Sequence, residues 1–393
     1  MGTRVEVDLD TYAANVAALH AALPPSGLWS TCAVVKADAY GHGLRDAARA
    51  AAAVDGVSHL GVVDNWEIKV LAELGLATRT LRLRPAVEHE MKDVLGTVEE
   101  SLSSEEAVRA LSALAADADK TVDVHLSLES GMGRNGFVFS SSDDVAKLFA
   151  LVDGLPGLNL VGVMTHFPTA DADEPATMAR IERFLGAVAP NVVGRPASFL
   201  VHYANSATTY RFRERLPALD GVRMMARPGI ATYGHPPFDD AAAVAAVPLR
   251  GVMRWTAPLV RVGSLPAGSV IGYGSAASVE VETRIGTLGI GYNDAILRSI
   301  SFAPDAVEPA PHVVIRGIVC PLIGRISMDM VTVDLSPLGD ADIATGEQCL
   351  LLGDPHIPGN LYAAWAGTIA YEVTIRIGQA RNPDVEWVVK GGK

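Results

Sequence analysis

A lysine that directly follows an apolar run is an uncommon arrangement. This chain has one, Lys36, in VVKADAYGHG (34–43). An ammonium carried into apolar surroundings is costly without a partner. Desolvation lowers its pKa and makes it an amine nucleophile fit for a Schiff base. The competing reading is a rim lysine whose stem lies on apolar surface while its head reaches water. Other apolar runs end in comparable groups. VDVHLSL (122–128) leads to GMGRNG (131–136), where Arg134 lies between glycines. That setting suits close approach of a ligand, or equally a turn carrying a solvated charge. LVGVM (160–164) is followed by Thr165 and His166, FLVHY (199–203) by the polar cluster ANSATT (204–209), and VRMMA (222–226) by Arg227 in ARPGI (226–230). His166 taken alone reads as a hydrogen-bonded structural residue as readily as a functional one. Ser206, at an expected helix start, offers a hydroxyl and backbone N–H groups, and Gly229-Ile230 after Pro228 lets the backbone approach an anion.

These groups need elements to position them. Up to about Arg227, eight apolar runs alternate with helix-like segments: TCAVV (31–35), HLGVV (59–63), TLRLR (80–84), VEESL (98–102) and the four runs above. Segments such as GLRDAARAAAAV (43–54), NWEIKVLAELG (65–75), SEEAVRALSALAADA (104–118) and DDVAKLFALVDG (143–154) have apolar residues at helical spacing, with capping residues such as Ser103-Ser104 and Ser142. Strict alternation implies a parallel sheet, and eight units in about 230 residues predict a closed (β/α)₈, TIM-like barrel. An open doubly wound sheet is the structural alternative, although no GxGxxG follows the first strand. Active groups of such barrels lie just past the strand ends, and the seventh and eighth loops commonly bind phosphate. A phosphate cup beside a Schiff-base lysine suggests pyridoxal 5′-phosphate (PLP). After PPFDD (236–240) the pattern becomes β-rich, with Gly and Pro between runs such as VMRWTAPLVRV (252–262) and PHVVIRGIVCPLIG (311–324). Residues 1–240 are therefore expected to form the barrel and 241–393 a mainly antiparallel β domain, helical only near 361–370. The opening strand TRVEVDL (3–9) is free to pair with that second domain.

Composition narrows the function. The 393 residues carry a net charge of −13, and 49% are hydrophobic. A sizeable core is expected, and neither nucleic acid nor an anionic membrane is an expected partner. Cys32, Cys320 and Cys349 are widely spaced with no CxxC, which predicts buried apolar residues rather than a disulfide framework or a metal site. The early acids and lack of an apolar h-region predict a soluble cytoplasmic protein.

The blocks carrying this chemistry resemble the alanine racemase family, PLP enzymes built from a barrel and a C-terminal β domain. VVKADAYGHG is similar to the PLP-lysine signature. HLSLESGMGRNGF (125–137), MTHFPTADAD (164–173), HYANSATT (202–209), RPGIATYG (227–234), IGYGS (271–275), IGYND (290–294) and GRISMDM (324–330) follow in family order along nearly the whole chain. The resemblance implies that Lys36 carries the cofactor, and that Tyr40, Ser206 and the backbone of Gly229 and Ile230 hold its phosphate. Arg227 faces the pyridine nitrogen, and Arg134 contacts the phenolic oxygen and the substrate carboxylate. Racemisation needs a proton removed on one face of Cα and delivered on the other; Lys36 and Tyr273 are the implied pair. Tyrosine, with an ordinary pKa of ~10, is a poor base at neutral pH, and His166 and Arg227 are the implied tuning network. The resemblance places Tyr273 and the Met328 backbone in the partner's site, hence a head-to-tail homodimer, with Tyr292 lining the substrate's way in.

Two positions depart from the family pattern. Many relatives have a carbamylated lysine where Ser127 stands; Glu129, two residues on, or a bound chloride is the expected substitute beside Arg134. A tyrosine usual after the YEV segment is replaced, with Ile377 nearest that position, which implies a lost phosphate contact. Alanine leads as substrate, with serine or a broader range behind it. The rivals are a metal-assisted PLP lyase, a PLP carrier, and a silenced relative.

Overall fold

The computed structural model describes residues 2–238, 241–303, 306–380 and 385–392. The expected boundary after residue 240 falls at 239–240, outside the described residues. The first strand, β1 (Arg4–Asp8), precedes eight parallel strands: β2 (Trp29–Val34), β3 (Val57–Val62), β4 (Arg79–Arg82), β5 (Glu100–Leu102), β6 (Val122–Ser127), β7 (Leu158–Met164), β8 (Leu200–Asn205) and β9 (Arg223–Arg227). Their order in space is β4-β3-β2-β9-β8-β7-β6-β5. The two ends of that row meet at a parallel bridge between Leu81 and Glu99, where the Arg82 N–H donates to the Glu99 carbonyl at 2.9 Å. A TIM-like barrel results, and the open-sheet alternative is excluded.

The helices begin where side-chain acceptors can take up free N–H groups. Ser104 caps Glu105–Asp117, and Ser141, one residue before the expected Ser142, caps Ser142–Asp153. Asn205 caps the short helix Ser206–Phe212 by accepting from the Thr208 N–H at 2.9 Å, which fixes Ser206 at the barrel rim. Along the strands, alternate residues face opposite ways. Val124, Leu126, Val201 and Tyr203 join the apolar layer under the helices, while Cys32, Leu81, Leu200 and Met225 pack together as a separate cluster.

The second domain is built on β10 (Met253–Leu265), with the hairpin β11 (Val270–Ile271) and β12 (Ala277–Ser278), then β13 (Thr283–Leu288), β14 (His312–Ile315), β15 (Ile318–Pro321), β16 (Val331–Asp334), β17 (Gln348–Leu352) and β18 (Glu386–Lys390). Its main sheet runs β15-β14-β17-β10-β1-β18, with β13 and β16 branching from β10. All pairings are antiparallel except β1 with β18. Trp255, Leu259, Val313, Val333, Leu351 and Trp365 form its core.

Helix extends further here than the sequence reading allowed: Gly359–Ala366 is followed by Ala370–Gln379. The β-branched run Val373, Thr374 and Ile375 reads locally as strand. Burial of Ala370, Val373, Thr374 and Ile377, at spacings of three and four, shows that docking decided the matter. Cys32, Cys320 and Cys349 are free and buried. Among the described residues no helix is long and apolar enough to cross a membrane.

Candidate active site

Lys36 stands two residues past the end of β2 and opens an unusual turn. Ala37, Asp38, Ala39 and Tyr40 have φ values of 55, 54, 55 and 53°, one turn of left-handed helix built without glycine. L-residues resist this conformation at a cost of roughly 1–2 kcal/mol each, so the surroundings must over-determine it. Glu67 does so from below. Its Oε1 accepts from the Ala37 N–H at 2.5 Å, and its Oε2 from Val63 and Asp64 at 2.8 and 3.1 Å. Asp38 accepts from the Leu44 N–H at 2.7 Å. The helix Ala370–Gln379 presses from the other side so closely that a Cβ on Gly378 would lie 2.3 Å from the Gly41 Cα. Burial lowers the Lys36 pKa, nearby Arg134 lowers it further, and Glu67 opposes both. The lysine is thus a desolvated amine on a rigid turn.

At the neighbouring rim the Ser206 hydroxyl accepts from the Gly229 N–H at 2.8 Å and the Ala231 N–H at 3.4 Å, leaving its own O–H free to donate. A Cβ on Gly229 would sit 2.3 Å from the Tyr40 hydroxyl oxygen, so only glycine fits there. Tyr371 lines the same cavity, its ring 5.9 Å from that of Tyr40. Ile377 is buried in the core of the second domain instead. The expected loss of a tyrosine at this wall is therefore offset by Tyr371, six residues earlier.

Arg227 closes the opposite side. Its Nη2 donates to the Thr165 carbonyl at 2.7 Å and its Nη1 to His202 Nδ1 at 3.0 Å. Among the described residues no carboxylate pairs with it, and burial pulls its pKa down to about 10. His166 lines the cavity and is pulled down to about 3 by burial and by Arg227, Arg134 and Lys36, so it is neutral at pH 7. Ser127 and Arg134 line the cavity as well. Glu129 does not partner Arg134: its carboxylate is taken by the N–H groups of Gly131 and Gly133. Among the described residues no acid pairs with Arg134, and the expectation for Glu129 is set aside.

One cavity of about 410 Å³ thus gathers Lys36, Tyr40, Arg134, His166, Ser206, Arg227, Gly229 and Ile230. Tyr273, Met328 and Tyr292 lie outside it. They are 70, 52 and 40% exposed on the second domain, where the Asn293 N–H donates to the Met328 carbonyl at 3.0 Å and joins two of their loops. Glu67, His202 and Tyr371 were not singled out from sequence, whereas Thr165 was. For His202 the sequence offered only a histidine inside the buried run FLVHY and at the head of HYANSATT. The gathered set offers a desolvated amine, hydroxyl groups beside a close-packed glycine, and a buried cation with no carboxylate partner among the described residues.

Comparison with known proteins agrees with this geometry. The family model described as "Alanine racemase, N-terminal domain" matches residues 7–237, and that described as "Alanine racemase, C-terminal domain" matches residues 252–385. The chain is 33% identical over 376 residues to an alanine racemase of Desulfovibrio desulfuricans, covering 95% of each. It is 35% identical over 389 residues to one of Geobacillus kaustophilus, covering 96% of this chain and 92% of the other. Its structure matches that of alanine racemase from D-cycloserine-producing Streptomyces lavendulae with a TM-score of 0.84 at 28% identity, covering 100% and 97% of the two chains. With both halves matched in order and the barrel rim assembled as described, the chain belongs to the alanine racemase family.

Proposed function

We propose that this protein interconverts L- and D-alanine with pyridoxal 5′-phosphate as its cofactor. The observation that carries the reading is the meeting at one barrel rim of a desolvated lysine, a serine–glycine anion cradle and a buried arginine that no carboxylate neutralises. The residues fit the group: the missing Cβ of Gly229 leaves room for the Tyr40 hydroxyl beside Ser206, and these donors line one cavity, the setting a phosphate needs.

When bound, the cofactor supplies a conjugated electron sink that makes the substrate's Cα–H acidic. Lys36 Nζ would hold it covalently. The hydroxyls of Tyr40 and Ser206 and the N–H groups of Gly229 and Ile230 would bind its phosphate. Arg227 can only donate, so it would hydrogen-bond the cofactor's ring nitrogen without handing it a proton, and the electron sink would be weaker than beside an aspartate. That favours quick return of the proton over elimination. Arg134, with Met328 N–H from a second copy, would orient the substrate carboxylate. Lys36 would move the proton on one face of Cα and Tyr273 of the partner subunit on the other. Neutral His166, with Arg227 behind it, would lie on the path of the tyrosine's proton. The working unit is a head-to-tail homodimer, and the reading includes no metal.

Incubation of the purified protein with single L-amino acids in D₂O tests this. Deuterium at Cα together with D-enantiomer is expected with alanine foremost. Absence of exchange with every amino acid, despite bound cofactor, would overturn it.

A further inference from the structure

Resting on the reading above, we propose that Glu99 is a positioning residue for Arg227, acting through His125 and His202 across the barrel interior. The path is continuous. Arg227 Nη1 is 3.0 Å from His202 Nδ1, His202 Nε2 is 2.9 Å from His125 Nδ1, and His125 Nε2 is 2.7 Å from Glu99 Oε2. A second imidazole, His59, places Nε2 3.1 Å from the same carboxylate oxygen and Nδ1 2.8 Å from the Ser58 hydroxyl. On the far side Arg79 pairs with Glu99 at 2.6 Å and with Asp123 at 2.8 Å. Glu99, His59, His125 and His202 are at most 5% exposed.

The direction of every bond in this path is set by one fact: a guanidinium has donors only. His202 Nδ1 must therefore accept, so its proton is on Nε2. That proton is donated to His125 Nδ1, which puts the His125 proton on Nε2, aimed at Glu99. The path ends on the one group that needs no proton of its own, an ionised carboxylate. Burial would raise the Glu99 carboxyl, but hydrogen bonds from His125 and His59 outweigh it and hold it well below the usual carboxylate range. Burial pushes His125 and His202 down, so both stay neutral.

The arrangement explains how Arg227 is buried with no direct counter-ion. A carboxylate touching it would take the guanidinium's hydrogen bonds and blunt its charge. Set two neutral rings away, the carboxylate fixes the guanidinium plane and leaves the charge facing the cavity. The same three side chains, His59, Glu99 and His125, bring ligand atoms within 4.8 Å of one another, a spacing that would also suit a metal ion. Protons on both Nε2 atoms and the cation of Arg79 favour the hydrogen-bonded form.

The test begins with ¹⁵N-histidine-labelled protein, on which two-bond ¹H–¹⁵N correlations report the protonated nitrogen of each ring. His59, His125 and His202 are each expected to carry a proton on Nε2, with His125 and His202 neutral. An Nδ1 proton on His125 or His202 overturns the proposal, as does a stoichiometric metal ion in the purified protein that is lost on Glu99→Gln. This measurement needs no turnover, so it stands apart from any failure of the racemase reading. Glu99→Gln keeps the shape and removes the charge. It is expected to mix the His202 tautomers, move the absorbance band of the lysine-bound cofactor, and lower kcat about tenfold in both directions with little change in KM. Glu99→Asp should restore part of each. An unchanged spectrum and turnover in Glu99→Gln would overturn the proposal.

Discussion

Lys36 and His166 show how one environment prepares two different groups. Both are pushed toward neutrality by burial and by a shared positive neighbour, Arg134. For the lysine this yields a reactive amine; for the histidine it yields a ring that stays uncharged. The consequence for stability has a definite sign. His166 lies near 3 in the fold against an ordinary 6.5. Between those values the unfolded chain binds a proton that the folded chain refuses, so stability falls as pH drops below about 6.5, by at most ~1.4 kcal/mol per pH unit for each such group. His125 and His202 act in the same direction. The melting temperature is expected to fall from pH 7 to 5, and His166→Gln should flatten that slope. A variant as acid-sensitive as the parent would count against a neutral buried His166.

The element that most needs support is the left-handed turn Ala37–Tyr40. The helix Ala370–Gln379 gives it that support through the Gly41–Gly378 contact. Gly378→Ala is expected to destabilise the protein by about 1–3 kcal/mol, since backbone on the other side cannot move aside cheaply. It should also weaken cofactor binding by loosening the lysine's turn, seen as a lower melting temperature and a right-shifted PLP titration. Retention of both would mean that Glu67 and Asp38 suffice. The sequence made much of this layer readable and hid a definite remainder. The barrel strands were legible because parallel strands buried on both faces are short continuous apolar runs, and helices between them repeat at 3–4 spacing. Ala370–Gln379 was hidden because its β-branched residues owe their helix to docking. Glu99, His125 and His202 were hidden because a polar residue inside an apolar strand carries no local sign of the partner it meets from another strand. Tyr371 was hidden because the family resemblance pointed to the position of Ile377, whereas the docked helix buries Ile377 in the second domain and puts Tyr371 on the cavity wall.

At the scale of the molecule, the separation of Tyr273 from the cavity makes a single chain an incomplete catalyst in the proposed reading. Mixing Lys36→Ala with Tyr273→Ala should therefore restore activity, because a mixed dimer has one site free of both defects. Random exchange of equal amounts gives about a quarter of the parent's activity. Two inactive variants that stay inactive when exchanged would argue that each site is built from one chain. The net charge of −13 fits the same picture, since in the proposed reading an anion would be held by a few local donors rather than by a surface field.

The position of β1 between β10 and β18 has a consequence for synthesis. Arg4 lies opposite Thr256 on one side and Glu386 on the other. The barrel strands follow one another closely along the chain and can associate as they leave the ribosome. β1 emerges before all of them and waits for the last described strand before both its edges are covered. Val5, buried at the end among residues of the second domain, is then an apolar residue on an unpaired edge for most of translation. The nascent chain therefore carries beside a formed barrel one sticky strand, the segment a ribosome-associated chaperone would be expected to hold.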